Sequence, residues 1–330
     1  MNRKVSVAPM MDCTDKHERY FLRLISKNVL LYTEMIVSEA INRGDRQRLL
    51  SFNLEEKPVA LQLGGSSPEL LSKTAKIGEE YGYDEINLNL GCPSKKVQKN
   101  KFGACLIKEP NLVADCLSEM QAKTKLPVTV KTRIGYDQVE DYEHLYNFIN
   151  LLKSTGVKTF IIHARKAMLG KFTPKENLNI PPLKYEMVYK LKKDFRDLEI
   201  IINGGITSTE QIKSHIQKVD GVMIGRSIYH SPYILADIEK EIFNNANYPS
   251  RHEVIIKLIE YLRKEVKKGT RINQIMRHTL GLFHGQTGSN FWKRYLSENM
   301  CVRDADIQKI DHILDKVKLN HVAQSAGQID

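Results

Sequence analysis

A cysteine just beyond a strand-like run is the first place in this chain where residue type and spacing suggest chemistry. In Glu85–Ala104, EINLNLGCPSKKVQKNKFGA, Ile86, Leu88 and Leu90 alternate with Asn87 and Asn89 until Gly91 and Pro93 end the pattern, as happens where a strand gives way to a loop. At the C-terminal end of a parallel-barrel strand, Asn89 and Cys92 stand at the rim that carries active sites in such folds. The plainer reading of a free cysteine is a small buried residue. The other polar strand ends bear on the choice.

Those ends hold Pro9, Gln62, Lys131, Arg133, His163, Asn203, Gly225 and Arg226. Several strands each delivering one polar group to a common rim is how barrel enzymes assemble a site. Asn203-Gly204-Gly205 and Gly225-Arg226 lie where barrels bind phosphate through backbone amides and a helix N-terminus, although glycines also serve tight corners alone. Lys131 and His163 can place charge or donors near an anionic cofactor, and Gln62 can offer an amide to the edge of a planar ring.

Eight apolar runs have to position these groups: Val5–Ala8, Leu30–Glu34, Val59–Leu63, Glu85–Leu90, Val128–Lys131, Thr159–His163, Glu199–Ile202 and Gly221–Ile224. Helical periods fall between them at Pro68–Tyr81, Pro110–Lys123, Tyr142–Ser154, Leu183–Asp194 and Ser208–Gln217, two opened by proline, where a missing amide donor is harmless. Eight strands in repeated βα units predict an α/β fold, a (β/α)8 TIM barrel, with a doubly wound open sheet as the alternative. After Tyr229–Asn247, which reads as a closing helix and connector, strand-like runs cease. Helical spacing follows at Val254, Ile255, Leu258, Ile259 and Leu262 and at Ile307, Ile310, Ile313, Leu314 and Val317. The expected division is a barrel domain over 1–245 and an all-helical domain over 246–330, with Ala323–Asp330 a frayed tail.

The formal net charge of +11 favours a polyanionic partner or an acidic membrane surface. No apolar run reaches the length of a membrane span, and MNRKVSVAPM lacks an apolar signal-peptide core, so the expectation is a cytoplasmic protein. Cys13, Cys92, Cys105, Cys116 and Cys301 form no CxxC pair, which suggests reduced thiols and no zinc site.

The motifs carry a resemblance. APMM at 8–11, NLNLGCP at 87–93, FGACL at 102–106, VKTR at 130–133, HARKA at 163–167, TPKEN at 173–177, INGGI at 202–206, DGVMIGR at 220–226 and GLFHGQ at 281–286 resemble the bacterial tRNA-dihydrouridine synthases over nearly the whole chain. HARKA, TPKEN and IPPLKYE are most similar to the subfamily acting on uridines 20 and 20a of the tRNA D-loop. The resemblance implies FMN over the barrel mouth, against Pro9, Met10 and Met11, with Gln62 and Lys131 at the ring edge and His163 also in contact. Asn203, Gly204, Gly205, Gly225 and Arg226 would take the phosphate, and NADPH would be the reductant. Reduction of the uracil C5=C6 bond would take a hydride at C6 from reduced flavin and a proton at C5 from Cys92, since an ordinary thiol is mostly protonated at neutral pH. A base within folded RNA has to be drawn out of its stack first.

For the tRNA, the resemblance implies contacts from Asn89, Arg133, Lys175, Asn290, Lys293 and Arg294, and basic groups such as Arg271 and Arg277 suit a phosphate backbone. The chain departs from the family pattern at Cys13 and Met168, where tryptophan is usual, at Thr132, where histidine is common, and at Asn290, where an arginine is. A monomer without metal is expected. The competing readings are an FMN barrel dehydrogenase acting on a free pyrimidine and an RNA-binding protein that keeps the barrel without catalysis.

Overall fold

The computed structural model describes residues 1–302, 305, 306 and 309; the expected spacing at Ile307, Ile310, Ile313, Leu314 and Val317 and the tail 323–330 lie outside them. Strands are β1 (Val5–Val7), β2 (Leu31–Tyr32), β3 (Ile36–Val37), β4 (Val59–Gly64), β5 (Glu85–Leu90), β6 (Val128–Arg133), β7 (Thr159–His163), β8 (Glu199–Asn203) and β9 (Gly221–Ile224). All pairs are parallel, in the order β1-β9-β8-β7-β6-β5-β4-β2. A bridge between Ser6 and Leu30 joins the two ends, with Val7 N donating to Leu30 O at 2.9 Å and Leu30 N to Val5 O at 3.2 Å. The result is the (β/α)8 barrel expected from the sequence; β3 is an extra piece paired to the far end of β4.

Both faces of the barrel strands are almost wholly buried, which explains the apolar runs, whereas β3 is half-buried. Ile86, Leu88 and Leu90 on one face of β5 are fully buried, each contributing roughly 1.5–3 kcal/mol by burial. The alternate residues Glu85, Asn87 and Asn89 lie level with Ala60 and Gln62 of β4 and with Thr129 and Lys131 of β6. Ala8, Leu30, Tyr32, Ala60, Ile161, Ile201 and Met223 form a buried apolar cluster. The surrounding helices start where local chemistry dictates: Ser67 accepts from Leu70 N ahead of Pro68, Asp141 from His144 N and Ser208 from Gln211 N. The observed helices Pro68–Glu80, Pro110–Lys123, Tyr142–Ser154, Tyr185–Asp194 and Thr209–Ile216 fall within two residues of the predicted ones.

Two compact units divide the chain, one of Met1–Lys16 with Val29–Gly225 and one of His17–Asn28 with Arg226 onward. In the second unit the described residues are helical, without strands: Arg226–His230, Ile234–Glu241, Arg251–Lys267, Ile272–Met276 and Ser289–Asn299. The closing stretch at 229–247 is broken at Ser231-Pro232 into two helices, as a proline requires. Ser250 and Glu253 form a capping box, and Val254, Ile255, Leu258, Ile259 and Leu262 are buried as their spacing predicts. Segment 17–28 joins this unit through polar bonds. Glu239 accepts from the Ser26 hydroxyl, from Asn28 N at 3.0 Å, from Asn28 Nδ2 at 2.7 Å and from Asn245 Nδ2 at 2.7 Å. His17 Nδ1 pairs with the Tyr261 hydroxyl at 2.7 Å, and Tyr20 stacks on Tyr261 at 3.9 Å between centroids.

Candidate active site

Cys92 sits in a backbone held from every side. Asn89 Oδ1 accepts from Gly91 N at 3.0 Å and from Cys92 N at 2.7 Å, so the strand's last inward amide ties down the start of its own loop. Gly91 O accepts from Arg133 Nε at 2.8 Å, and Cys92 O from Ala104 N at 3.0 Å. Gly103, at φ 75°, makes the last bond possible: a Cβ there would lie 2.7 Å from Cys92 O and 2.5 Å from Val97 Cγ1. Gly103 and Ala104 belong to FGACL, and their support of Cys92 is visible only once the loop has closed. The cysteine is partly accessible, which sets aside the plain reading of a sealed core residue.

Lys131 is the electrostatic centre of the mouth. Its ammonium donates to Asn203 Oδ1 at 3.2 Å, and Asn203 Nδ2 donates to Met223 O at 2.8 Å. Burial, reinforced by the charge of Arg133 and opposed by Cys92, pulls the Lys131 pKa down to about 7. The Arg133 guanidinium is likewise pulled down to about 10, by burial first. Among the described residues neither cation has a carboxylate partner. Arg133 is buried and Lys131 half-buried, and two cations so poorly compensated at one mouth form a site for an anion.

The glycine corner stands beside them. Gly204 adopts φ 119°, and a Cβ there would come within 2.7 Å of His163 Cδ2 and 2.9 Å of Leu183 Cδ2. Only glycine fits. Gly205 follows at φ 71°, and the Tyr185 hydroxyl donates to Gly204 O at 2.6 Å. A Cβ built on Gly225 would lie 3.5 Å from Met10 Sδ, so the loop after β1 meets the end of β9. Lys131, His163, Asn203, Gly204, Gly205, Gly225 and Met10 are thus gathered at the C-terminal ends of the strands; Pro9 is half-buried beside Met10, and Met11 is 55% exposed.

The remaining expected residues differ in exposure. Gln62 is 1% exposed and lies between two amides, accepting from Asn89 Nδ2 and donating to Asn87 Oδ1, each at 2.8 Å. Arg133 donates through Nη1 to Lys166 O at 3.0 Å and to Asn177 O at 3.1 Å, besides its Gly91 bond, so it ties the loop after β5 to two points of the connection after β7 and keeps Nη2 for other partners. Lys175 is exposed. Arg226 is exposed at the start of its helix in the second unit. In that unit Asn290 and Arg294 are exposed and Lys293 is half-buried on the helix Ser289–Asn299, whose Trp292 and Leu296 are buried; the spacing puts 290, 293, 294 and 297 on one face.

Sequence inspection passed over Lys95, Lys96, Lys99 and Lys101, all exposed in the Cys92 loop. The run SKKVQKNK was signal enough. Among the described residues no three His, Cys, Asp or Glu side chains stand together as a metal site, and no helix is long and apolar enough to cross a membrane.

The family model for dihydrouridine synthase (Dus) matches residues 6–318. A tRNA-dihydrouridine(20/20a) synthase of Synechocystis sp. is 52% identical over 315 residues, covering 95% of this chain and 94% of that protein. Proteins of the same name from Shewanella oneidensis and Escherichia coli K12 are 49% and 51% identical, covering 98% and 95% of this chain and 97% and 91% of theirs. The match spans the Cys92 loop, the Lys131 mouth and the glycine corner alike, and the chain belongs to the dihydrouridine synthase family.

Proposed function

We propose that this protein reduces uridine in tRNA to 5,6-dihydrouridine, at positions 20 and 20a of the D-loop, with Cys92 as the proton donor. The observation that carries the reading is the joint placement of a pinned, accessible thiol and two uncompensated cations at one barrel mouth, in a chain about half identical to enzymes of that name.

The donor set fits FMN. A desolvated ammonium bonded to a neutral amide oxygen suits an electron-rich, anionic ring, and a corner that excludes side chains at Gly204 suits close approach of a phosphate. Pro9, Met10, Met11, Gln62, Lys131 and His163 would hold the ring, and Asn203, Gly204, Gly205 and Gly225 the phosphate end. Gln62 keeps one amide hydrogen and one lone pair for that edge. When bound and reduced by NADPH, FMN supplies the hydride that uracil C6 receives.

The chain's own residues do the rest. Cys92 delivers the proton to C5 and leaves as thiolate, which the neighbouring Lys131 and Arg133 cations stabilise. Asn89 and the free Nη2 of Arg133 hold the uracil edge. Arg133 also holds the loop after β5 against the connection after β7, which limits the entry of water beside Cys92. Lys95, Lys96, Lys99, Lys101 and Lys175 meet tRNA phosphates around the base, and the face of Asn290, Lys293 and Arg294 meets them from the helical part. We assign 1–245 to catalysis and 246–330 to tRNA binding.

The test is dihydrouridine mapping in tRNA incubated with the purified protein, FMN and NADPH. Cys92→Ala should keep FMN and its reduction by NADPH and lose dihydrouridine formation by about 10²–10⁴-fold, the usual contribution of a general acid. Near-normal formation by this variant would remove Cys92 from the mechanism.

A further inference from the structure

We propose that Glu85, at the opposite end of the barrel from the mouth, is a positioning residue for Cys92, acting through a one-way chain of buried side chains that fixes which way each amide faces. Cys92 N and Gly91 N donate to Asn89 Oδ1 at 2.7 and 3.0 Å. Asn89 Nδ2 donates to Gln62 Oε1 at 2.8 Å, Gln62 Nε2 to Asn87 Oδ1 at 2.8 Å, and Asn87 Nδ2 to Thr129 Oγ1 at 2.9 Å. Thr129 then donates to Glu85 Oε1 at 2.6 Å. The path runs four residues along β5, about 13 Å, through side chains that are all under 9% exposed.

Its direction is forced at both ends. Backbone amides can only donate, so Asn89 must turn its oxygen to the loop and its NH2 to Gln62, and each later amide inherits its orientation. Glu85 is the matching end: a carboxylate only accepts, and it also receives Arg3 Nε at 2.7 Å and the Tyr32 hydroxyl at 2.7 Å. Arg3 is anchored in turn on Glu199 at 2.9 Å, which accepts from Thr159 at 2.7 Å. Burial and the Glu85 charge raise the Tyr32 pKa well above its ordinary value, so that hydroxyl remains a donor. A chain satisfied in only one sense, in a low-dielectric interior, is rigid, because any reversal leaves a buried donor facing a donor.

Glu85→Gln keeps the shape and breaks the sense. Arg3 can only donate, so it claims the oxygen of the introduced amide, whose NH2 then faces Thr129. The Thr129 proton then loses its acceptor, and Asn87 can supply another only by turning its oxygen toward it. If Asn87 and Gln62 rotate to follow, Asn89 is left offering NH2 to the Cys92 amide. The loop that carries the thiol loosens although no residue of the mouth has changed.

This inference rests on the reading of Cys92 as the acid, and its test separates the two. The Cys92 alkylation rate, by peptide mass spectrometry, and amide exchange across 88–104 should both rise in Glu85→Gln and in the near-isosteric Thr129→Val. Thr129→Ser, which restores the hydroxyl, should match the parent protein. Dihydrouridine formation should fall in kcat by about tenfold to hundredfold in the first two, the scale of a misplaced reacting group, with the KM for tRNA and the NADPH-driven reduction unchanged. Combining Glu85→Gln with Thr129→Val should add little, because both break one chain. Parent-like alkylation and exchange in both variants would overturn the positioning role, whereas an active Cys92→Ala would overturn the acid and leave the exchange readout to judge the chain.

Discussion

Replacing Lys131 with methionine should make the cofactor-free protein more stable and its cofactor binding weaker. The Lys131 pKa lies at about 7 against an ordinary 10.5, and at 1.36 kcal/mol per unit the displacement corresponds to roughly 5 kcal/mol held against the ammonium form. Replacing the charge by an apolar chain of similar length should return part of that penalty, less the loss of the bond to Asn203 Oδ1. The sign follows from proton counting. Below pH 7 both folded and unfolded protein carry the proton, and the folded one bears the whole penalty. Between pH 7 and about 10.4 the unfolded chain binds more protons, so the parent protein gains stability as pH rises, and above that the penalty is gone. The Lys131→Met advantage should therefore be largest at pH 6 and shrink steadily toward pH 10. Urea denaturation of both cofactor-free proteins at pH 6, 8 and 9.5 measures it, and FMN titrated into each should show the weaker binding. An advantage that does not change with pH, or a variant less stable at pH 6, would refute the account of Lys131 as an uncompensated charge awaiting an anion.

Three further outcomes are expected. Gly204→Val, with a Cβ 2.7 Å from His163 Cδ2 and φ at 119°, should lose FMN retention, seen as a colourless preparation that FMN fluorescence quenching does not restore; a yellow variant would remove the corner from the cofactor site. Replacing Lys95, Lys96, Lys99 and Lys101 by alanine should weaken tRNA binding and flatten the log affinity against log salt line by about 0.7–0.9 for each phosphate no longer neutralised, with the flavin unaffected. Lys293→Ala with Arg294→Ala should do the same from the helical unit, and an unaltered slope would mark that face as merely solvated.

The barrel was legible in the sequence because its strands are buried on both sides and separated by periodic helices. Val5–Val7 and Gly221–Ile224 needed no more than their apolar runs and flanking turns. The segment 17–28 was not legible. His17, Glu18, Arg19 and Arg23 are polar by type yet buried, and Glu239, the acceptor that holds Ser26 and Asn28, lies more than 200 residues away. The helix of this segment, Lys16–Ile25, does bury an apolar stripe at Phe21, Leu22 and Ile25, but periodicity along the chain cannot show which polar groups its other side chains will meet from so far away in sequence.

The same limit governs the site. Cys92, Lys131 and the glycine corner announce themselves because each is an unusual residue at a strand end. Gln62, Asn87 and Thr129 do not, since polar residues alternating with apolar ones ordinarily mean one face in water; in a closed barrel that face is the interior, so the alternation instead implies that each polar group must find another. Glu85 shows how far this carries. At the first position of β5 it reads as a solvent-facing strand start, yet closure of the barrel brings Arg3, Tyr32 and Thr129 onto its carboxylate. The partners of such a group are fixed by strand order and register, and the direction of its bonds by donors at residues 91 and 92 that every sequence has.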